Sequence, residues 1–436
     1  MSELTIRAAG GMQVRVASTC LLAVTIAAAA WAAGSPRLAM LSLVGVIAAS
    51  VWASYVGARP ALVAACLAIA PPGLLGENYG KIGFVALMLL LLCVWSAPTE
   101  CDPMFDLLPV LIFGEAIAFV FAAATAGDPA VSHSRTVVAA LYAVAALVAF
   151  QLSKRPTLAR DALRALTLLV AITCASYVVS VVTGFAGARE IVLHFRTVTL
   201  APPITLTGGN AANYLSTPRF LTLGSEPGLG GVFLLIAIAA TLILESGRRR
   251  IVLLSALAVG VVAAQSTGVL IGLMAMAGAG AFVIVTKRVA FIVASALLVV
   301  ALPVAAALTN QLVARKERIA PLSVTDRGLA GSAGDSGISL SAAWSHTPAL
   351  VVPVVALLCY LALRSIREPL QLGLVAAVSV TAWSAQPLQY HPGVWLLMLL
   401  VVTARFGAAE PATRAQSTSP IDHARRQRPL PGRGVP

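Results

Sequence analysis

The stretch PGLGGVFLLIAIAATLILE, from Pro227 to Glu245, decides the fold class of this chain. It carries no charge before Glu245, and it approaches the roughly 20 apolar residues that an α-helix needs to cross a bilayer. Pro227 suits the first turn of such a helix, because its missing N–H leaves no hydrogen bond unmade there. The stretch therefore predicts a transmembrane helix that begins at Pro227.

Apolar runs of this kind recur along nearly the whole chain of 436 residues, of which 59% are hydrophobic and 11% are charged. A soluble domain has about 25% charged residues. The runs are continuous rather than alternating, which argues against a β-barrel. We predict an all-α fold for residues 1–405, a polytopic transmembrane helix bundle with about 12 to 14 spans.

The predicted spans lie at about 16–33, 38–57, 60–76, 81–97, 104–125, 136–152, 163–184, 227–245, 251–264, 268–286, 289–309, 347–363, 369–384 and 392–404. The third contains Pro71-Pro72-Gly73, which would break or end a helix. The ninth is short enough to be a half-helix joined to the tenth.

Basic residues predict the orientation. With a cytoplasmic N-terminus, the cytoplasmic segments hold most of the 30 lysines and arginines, as the positive-inside rule requires. Both termini are then cytoplasmic, and long loops at about 185–226 and 310–346 face outside. Residues 406–436 predict a disordered basic cytoplasmic tail. We attribute the net charge of +13 to topology and to contact with membrane lipids, not to binding of nucleic acid.

A polar group directly precedes the Pro227 helix, in Arg219-Phe-Leu-Thr-Leu-Gly224-Ser-Glu226. Glu226 complements the positive end of a helix, which is a purely structural role. That role does not account for Arg219 or Gly224. Gly224 and Gly228 allow a ligand or another backbone to approach closely. A helix N-terminus beside an arginine is typical of a phosphate site.

Other polar residues fall on the same outer side. Ser266-Thr267 joins the ninth and tenth spans, either as a tight turn or as part of the same site. His346, at the entry of the twelfth span, is a natural proton acceptor near neutral pH. Tyr390 and His391 belong to the last outer turn. An anionic ligand would explain the outer arginines, and solvated loop charges are the alternative. These arginines include Arg196, Arg219, Arg315, Arg318 and Arg327.

Glu115 lies in the middle of the fifth predicted span. A buried acid at that depth is either paired within the structure or functional. The sequence does not identify its partner.

Four features in this order resemble the O-antigen ligase and polymerase superfamily of bacterial envelope glycan assembly. They are Arg219 to Pro227 at the start of a helix, the Ser266-Thr267-Gly268 turn, Arg327 in a second outer loop, and His346 leading into an apolar helix. The resemblance covers about residues 185–405. Thr347 stands where family members often carry asparagine.

The resemblance implies a bundle like those of the GT-C glycosyltransferases, in a bacterial inner membrane. It implies a glycan donor linked through pyrophosphate to a polyprenol, and a glycan or lipid acceptor, with neither cofactor nor metal. Arg219, Arg327, Arg196, Arg315 and Arg318 would then bind the pyrophosphate. His346 or Glu226 would be the catalytic base. The remaining expected site residues are Gly224, Gly228, Ser266, Thr267, Tyr390 and His391.

Two other functions remain open on the sequence. A lipid-linked glycan flippase or other transporter would also need arginines for a pyrophosphate headgroup, but it would place charge in a central cavity. A membrane scaffold would carry dispersed outer charges. Convergence of Arg219, Arg327 and His346 on one outward pocket would favour the transferase.

Overall fold

A computed structural model describes residues 59–69, 79–100, 107–127, 129–193, 196–203, 205–208, 218–223, 227–288, 340, 348–384, 388 and 391–403. This part of the chain is mostly helical. The predicted spans at 16–33, 38–57 and 289–309 and the predicted tail lie outside the described residues.

The helices of the described residues follow the predicted apolar runs. They are α1 (Arg59–Ile69), α2 (Tyr79–Trp95), α3 (Leu107–Ala124), α4 (Pro129–Ser153), α5 (Pro156–Val182), α6 (Pro227–Leu244), α7 (Gly247–Ala264), α8 (Thr267–Arg288), α9 (Pro348–Ser365), α10 (Pro369–Ser384) and α11 (Pro392–Thr403). Several start with a proline, whose fixed φ and missing N–H suit the first turn.

Five of these helices contain segments long and apolar enough to cross a membrane: Leu107–Ala124, Val131–Ser153, Pro156–Val182, Gly268–Val285 and Pro348–Ser365. Shorter apolar segments lie in α2, α6, α10 and α11. These observations support the predicted multi-pass membrane protein.

The structure bears on two of the predicted spans. Within the third, α1 covers Arg59–Ile69, and the Pro71-Pro72-Gly73 segment lies outside the described residues. The ninth is not a half-helix, because α7 is continuous over 18 residues from Gly247 to Ala264. Gln265 ends it in the left-handed conformation, with φ 47° and ψ 39°, which separates α7 from α8.

A four-stranded antiparallel sheet lies between α5 and α6, where the sequence predicted only an outer loop. Its strands are β1 (Arg189–Leu193), β2 (Arg196–Ala201), β3 (Thr205–Gly208) and β4 (Arg219–Phe220), in that spatial order. The all-α prediction therefore describes the bundle but omitted this sheet. The alternation of threonine with aliphatic residues along β2 and β3 is typical of strands.

Helix directions follow from close contacts. Gly231 of α6 lies against Val269 of α8, and Leu235, one turn further along α6, lies against Gly272 of α8, so α6 and α8 run parallel. A Cβ added at Gly272 would lie 3.5 Å from Thr381 Oγ1, and one at Gly280 would lie 3.4 Å from the Pro369 carbonyl oxygen. Helix α10 is therefore antiparallel to α8, which makes α9 and α11 parallel to α6. The N-termini of α6, α8, α9 and α11 share one end of the bundle, here called the Pro227 end.

Helix α11 forms the centre of the core. It is buried from Pro392 to Val402, and it contacts α1, α4, α5 and α6. Trp395 Nε1 donates a hydrogen bond of 2.9 Å to Tyr142 Oη on α4. The Gln371 amide donates to the carbonyls of Val401 and Val402, which joins the start of α10 to the end of α11.

The opposite end of the bundle carries a basic cluster around Glu245. Arg164 Nε lies 3.3 Å from Glu245 Oε1, and Arg249 Nε lies 3.2 Å from Glu245 Oε2. Arg250 Nε donates to the Glu245 carbonyl at 2.6 Å. The start of α5 and the turn between α6 and α7 therefore meet at one end, and the sequence assigned both segments to the cytoplasmic side.

Candidate functional site

A cluster of hydroxyl groups attaches the sheet to the last turns of α5. Ser176 Oγ lies 2.6 Å from Thr205 Oγ1 on β3, and Ser180 Oγ lies 2.9 Å from the same oxygen. Ser180 Oγ also donates to the Pro202 carbonyl at 3.0 Å. All three hydroxyl-bearing residues are buried. Buried hydroxyls that satisfy one another fix the orientation of the sheet against the bundle.

Tyr177, also on α5, positions strand β4. Its hydroxyl donates a hydrogen bond of 2.9 Å to the carbonyl of Pro218, the residue before Arg219. Its ring lies 5.2 Å, centroid to centroid, from the ring of Phe220, which is fully buried. The backbone on both sides of Arg219 is thus held by one α5 side chain.

Arg219 connects this sheet to the turn between α7 and α8. In the sheet it pairs with Gly208 of β3. Its Nη2 atom donates a hydrogen bond of 3.0 Å to the Gln265 carbonyl oxygen, 46 residues further along the chain. Two of the sequence features that carried the resemblance, Arg219 and the Ser266-Thr267 turn, therefore meet in space.

The turn after Gln265 places the start of α8 beside this contact. Ser266 is buried, and its carbonyl accepts the Leu270 N–H at 3.3 Å. Thr267 is the first residue of α8. The first N–H groups of a helix have no partner within it, and they carry a partial positive charge. Together with the Arg219 guanidinium they make this turn a positively polarised region.

The start of α6 lies against the same region. A Cβ added at Gly231 would overlap Val269 Cγ2 on α8, and one added at Gly230 would overlap the Leu221 carbonyl oxygen. Gly231 therefore admits a neighbouring helix, and Gly230 admits the backbone that follows β4. Gly228, the second residue of α6, is only partly buried. The N-termini of α6 and α8 consequently lie side by side.

Thr222 is a residue of this region that the sequence analysis missed. It is 1% exposed, and among the described residues its Oγ1 has no hydrogen-bond partner. That oxygen would lie 3.2 Å from a Cβ at Gly230, which places it beside the first turn of α6. The residue has φ 56°, a strained conformation for a β-branched side chain. Such strain often occurs at ligand-binding sites.

Arg196 belongs to the same sheet. It is the first residue of β2, two positions before Val198. Val198 pairs with Gly208, and Gly208 pairs with Arg219. The strand register thus brings the backbones of the two predicted pyrophosphate-binding arginines into neighbouring parts of one sheet.

His391 lies directly before α11, at the Pro227 end. The residue is 8% exposed, and among the described residues its Nδ1 has no hydrogen-bond partner. Its backbone N–H donates to the Leu388 carbonyl at 3.0 Å. Burial lowers the pKa of the imidazole to about 4, so His391 is neutral near neutral pH. His391 is therefore a buried polar group at the Pro227 end of the bundle.

The other predicted site residues lie outside the described part of the chain, and their roles stay predictions. They are Gly224, Glu226, Arg315, Arg318, Arg327, His346 and Tyr390. Two of these residues, Glu226 and His346, directly precede described helices in sequence. Helix α6 begins just after Glu226 and α9 begins two residues after His346, and both helix starts lie at the Pro227 end.

No protein-family model, no curated protein and no solved structure matches this chain. Its possible chemistry therefore rests on the arrangement itself. An arginine, two adjacent helix N-termini and a buried hydroxyl are suited to binding an anionic oxygen-rich group such as a phosphate.

Proposed function

We propose that this protein transfers a glycan from a polyprenyl-pyrophosphate carrier to a glycan or lipid acceptor, as a metal-independent glycosyltransferase of the O-antigen ligase or polymerase type. The supporting observation is the junction in which Arg219 binds the Gln265 carbonyl beside the N-termini of α6 and α8. Residues distant in sequence that carried the resemblance meet there.

The chemistry of the proposed reaction matches this junction. The acceptor oxygen forms a bond to the anomeric carbon of the donor sugar while the bond from that carbon to the pyrophosphate oxygen breaks. The departing pyrophosphate gains negative charge, which a guanidinium and free helix N–H groups stabilise. The acceptor hydroxyl loses a proton to a base, for which His346 and Glu226 are the two candidates.

The same proposal orients the protein in a bacterial inner membrane. The Pro227 end faces outside, where the lipid-linked donor and the acceptor would bind. The arginines around Glu245 face the cytoplasm, in agreement with the positive-inside rule. Both termini are cytoplasmic in this orientation.

One observation favours the alternative function, a lipid-linked glycan flippase or another transporter. Glu115 is fully buried within α3, and neither of its carboxylate oxygens has a hydrogen-bond partner among the described residues. Ionisable groups inside membrane proteins often lie on substrate or ion pathways. Transport assays with the same lipid-linked glycan separate the two functions.

The direct test is release of polyprenyl pyrophosphate by the purified protein from a lipid-linked glycan. We expect Arg219→Ala to slow release by about 100-fold or more. Arg219→Lys should restore little, because a single ammonium group does not reproduce a guanidinium that contacts two oxygens. Arg189→Ala, at an exposed position on β1 of the same sheet, is the matched control and should retain wild-type release.

Arg219 also has a structural contact, so a further variant is needed. Arg219→Gln keeps an N–H donor for the Gln265 carbonyl but removes the charge. If it restores the thermal stability lost in Arg219→Ala without restoring release, the charge itself serves the reaction. Normal release by both Arg219→Ala and Arg219→Gln would refute the proposed pyrophosphate site. Transport of the lipid-linked glycan without any release would support the flippase instead.

A further inference from the structure

Helix α3 has one apolar face and one face that contains an acid. Val110, Phe113, Ile117 and Phe121 are each about half exposed and form a continuous apolar face, as expected for contact with lipid. Glu115 is fully buried on the opposite face, which packs into the bundle. The acid therefore points into the protein in the middle of a helix long enough to cross the membrane.

The described neighbours of Glu115 do not neutralise it. Helix α3 packs against α4 and α9 and touches α11. Arg135 of α4 is engaged elsewhere, because its Nη1 donates to the Ala122 carbonyl at 2.6 Å. Ala122 is seven residues from Glu115, about 10 Å along a helix. Phe119, one turn from Glu115, stacks on Tyr142, whose Oη accepts the Trp395 indole N–H.

The other titratable groups on the packed helices are few. On α4, His133 is exposed. On α9, Cys359 is exposed, and Arg364 Nη1 donates to Tyr360 Oη at 3.1 Å. The described part of α11 carries no titratable side chain. Among the described residues, neither oxygen of Glu115 has a hydrogen-bond partner.

A carboxylate at this position would lose its hydration, and the described residues offer it no compensating charge or hydrogen-bond donor. Burying an unpaired charge carries a large free-energy cost, and proteins usually avoid it by binding a proton or a cation. The protonated acid carries no net charge, so its burial in the bundle costs far less free energy.

We propose that Glu115 is a proton-binding site inside the membrane-spanning bundle. The carboxyl group is neutral while α3 is packed against α4 and α9, and it exchanges its proton with water only when this packing opens. Proton binding and the closed packing of α3 therefore stabilise each other. This site is independent of the glycan site at the Pro227 end.

Infrared spectroscopy of the purified protein in lipid nanodiscs tests the protonation state directly. At neutral pH we expect the carbonyl band of a protonated carboxyl group, displaced when the protein is made with isotopically labelled glutamate. The band should vanish in Glu115→Gln and remain in Asp161→Asn. Asp161 is the matched control because it is half exposed and lies 3.6 Å from Arg164.

The pH dependence of stability gives a second measurement. Where the folded state holds one more proton than the unfolded state, the folding equilibrium constant of the wild-type protein falls about tenfold for each rise of one pH unit. Glu115→Gln should lack this dependence. Should that variant fail to accumulate, the wild-type spectra with and without labelled glutamate still decide the matter.

Two results would overturn the proposal. One is the absence of a protonated glutamate band from the wild-type spectrum at neutral pH, in sodium-free buffer as well as in sodium. The other is a band that appears only when sodium is removed, which would assign Glu115 to a metal cation instead of a proton.

Discussion

Gly231→Ala tests the contact that holds the starts of α6 and α8 together. The new methyl group would overlap Cγ2 of Val269, which is buried. Overpacking of this kind costs about 1–3 kcal/mol. Replacing glycine by alanine inside a helix returns up to about 1 kcal/mol. We therefore expect a net loss of up to about 2 kcal/mol in the free energy of unfolding.

The assay is equilibrium unfolding in mixed detergent micelles, with Val269→Ala as the compensating change. Removing the two Val269 methyl groups makes room for the new Cβ, so the double variant should be more stable than the sum of the single effects by about 0.5–3 kcal/mol. Gly278→Ala, on an exposed face of α8 with no atom within 4 Å of the added Cβ, is the control and should not be destabilised.

The reasoning would be refuted by either of two results. Gly231→Ala as stable as Gly278→Ala would mean that the two helix starts are not in tight contact. Strictly additive effects of Gly231→Ala and Val269→Ala would mean that the overlap is relieved elsewhere. The first of these results would also remove the geometric basis for a shared anion site at these two helix N-termini.

Three further predictions concern the ends of the bundle. A tag inserted within 310–340 should be accessible from outside the cell and one after Phe406 should not, and finding both on one side would refute the predicted orientation. If His346 is the base, His346→Ala should slow transfer by about 100-fold or more while donor binding stays intact, and Glu226→Gln should slow transfer less. The opposite ranking of the two variants would assign the base to Glu226. Because burial lowers the pKa of His391 to about 4, its neutral form contributes stability that is present above about pH 6.5 and is lost as the pH falls toward 4. Thermal unfolding of wild type and His391→Gln between those values should converge at low pH, and parallel curves would contradict this account.

The helices were predictable because their signals are local. An apolar run and the proline before it identified the starts of α6, α10 and α11 at Pro227, Pro369 and Pro392, and the structure has the same starts. The length of such a run is determined by the bilayer and not by distant residues. For the majority of helix ends, the position predicted from sequence therefore lies within a few residues of the position in the structure. The starts of α4 and α5 are exceptions, because each lies seven residues before the predicted start.

The sheet and the junction at Arg219 were not predictable in the same way. Strand pairing depends on residues far apart, such as Arg219 with Gly208, and the short strands gave only a weak alternating signal. The hydrogen bond from Arg219 to Gln265 depends on how α7 and α8 pack, which no local pattern encodes. Thr222 was overlooked for a related reason, because its burial depends on the position of the α6 N-terminus.

The central position of α11 has a consequence for how the protein is made. Chains are synthesised from the N-terminus, and early segments begin to fold before later ones exist. Helix α11 is the last of the described helices, yet α1, α4, α5 and α6 all rest on it. During synthesis these four helices are made before α11, so the space that α11 occupies between them is still unfilled. The final helix then closes the bundle from within, so a chain that stops before Pro392 would present its unfilled centre to the proteases that remove incomplete membrane proteins.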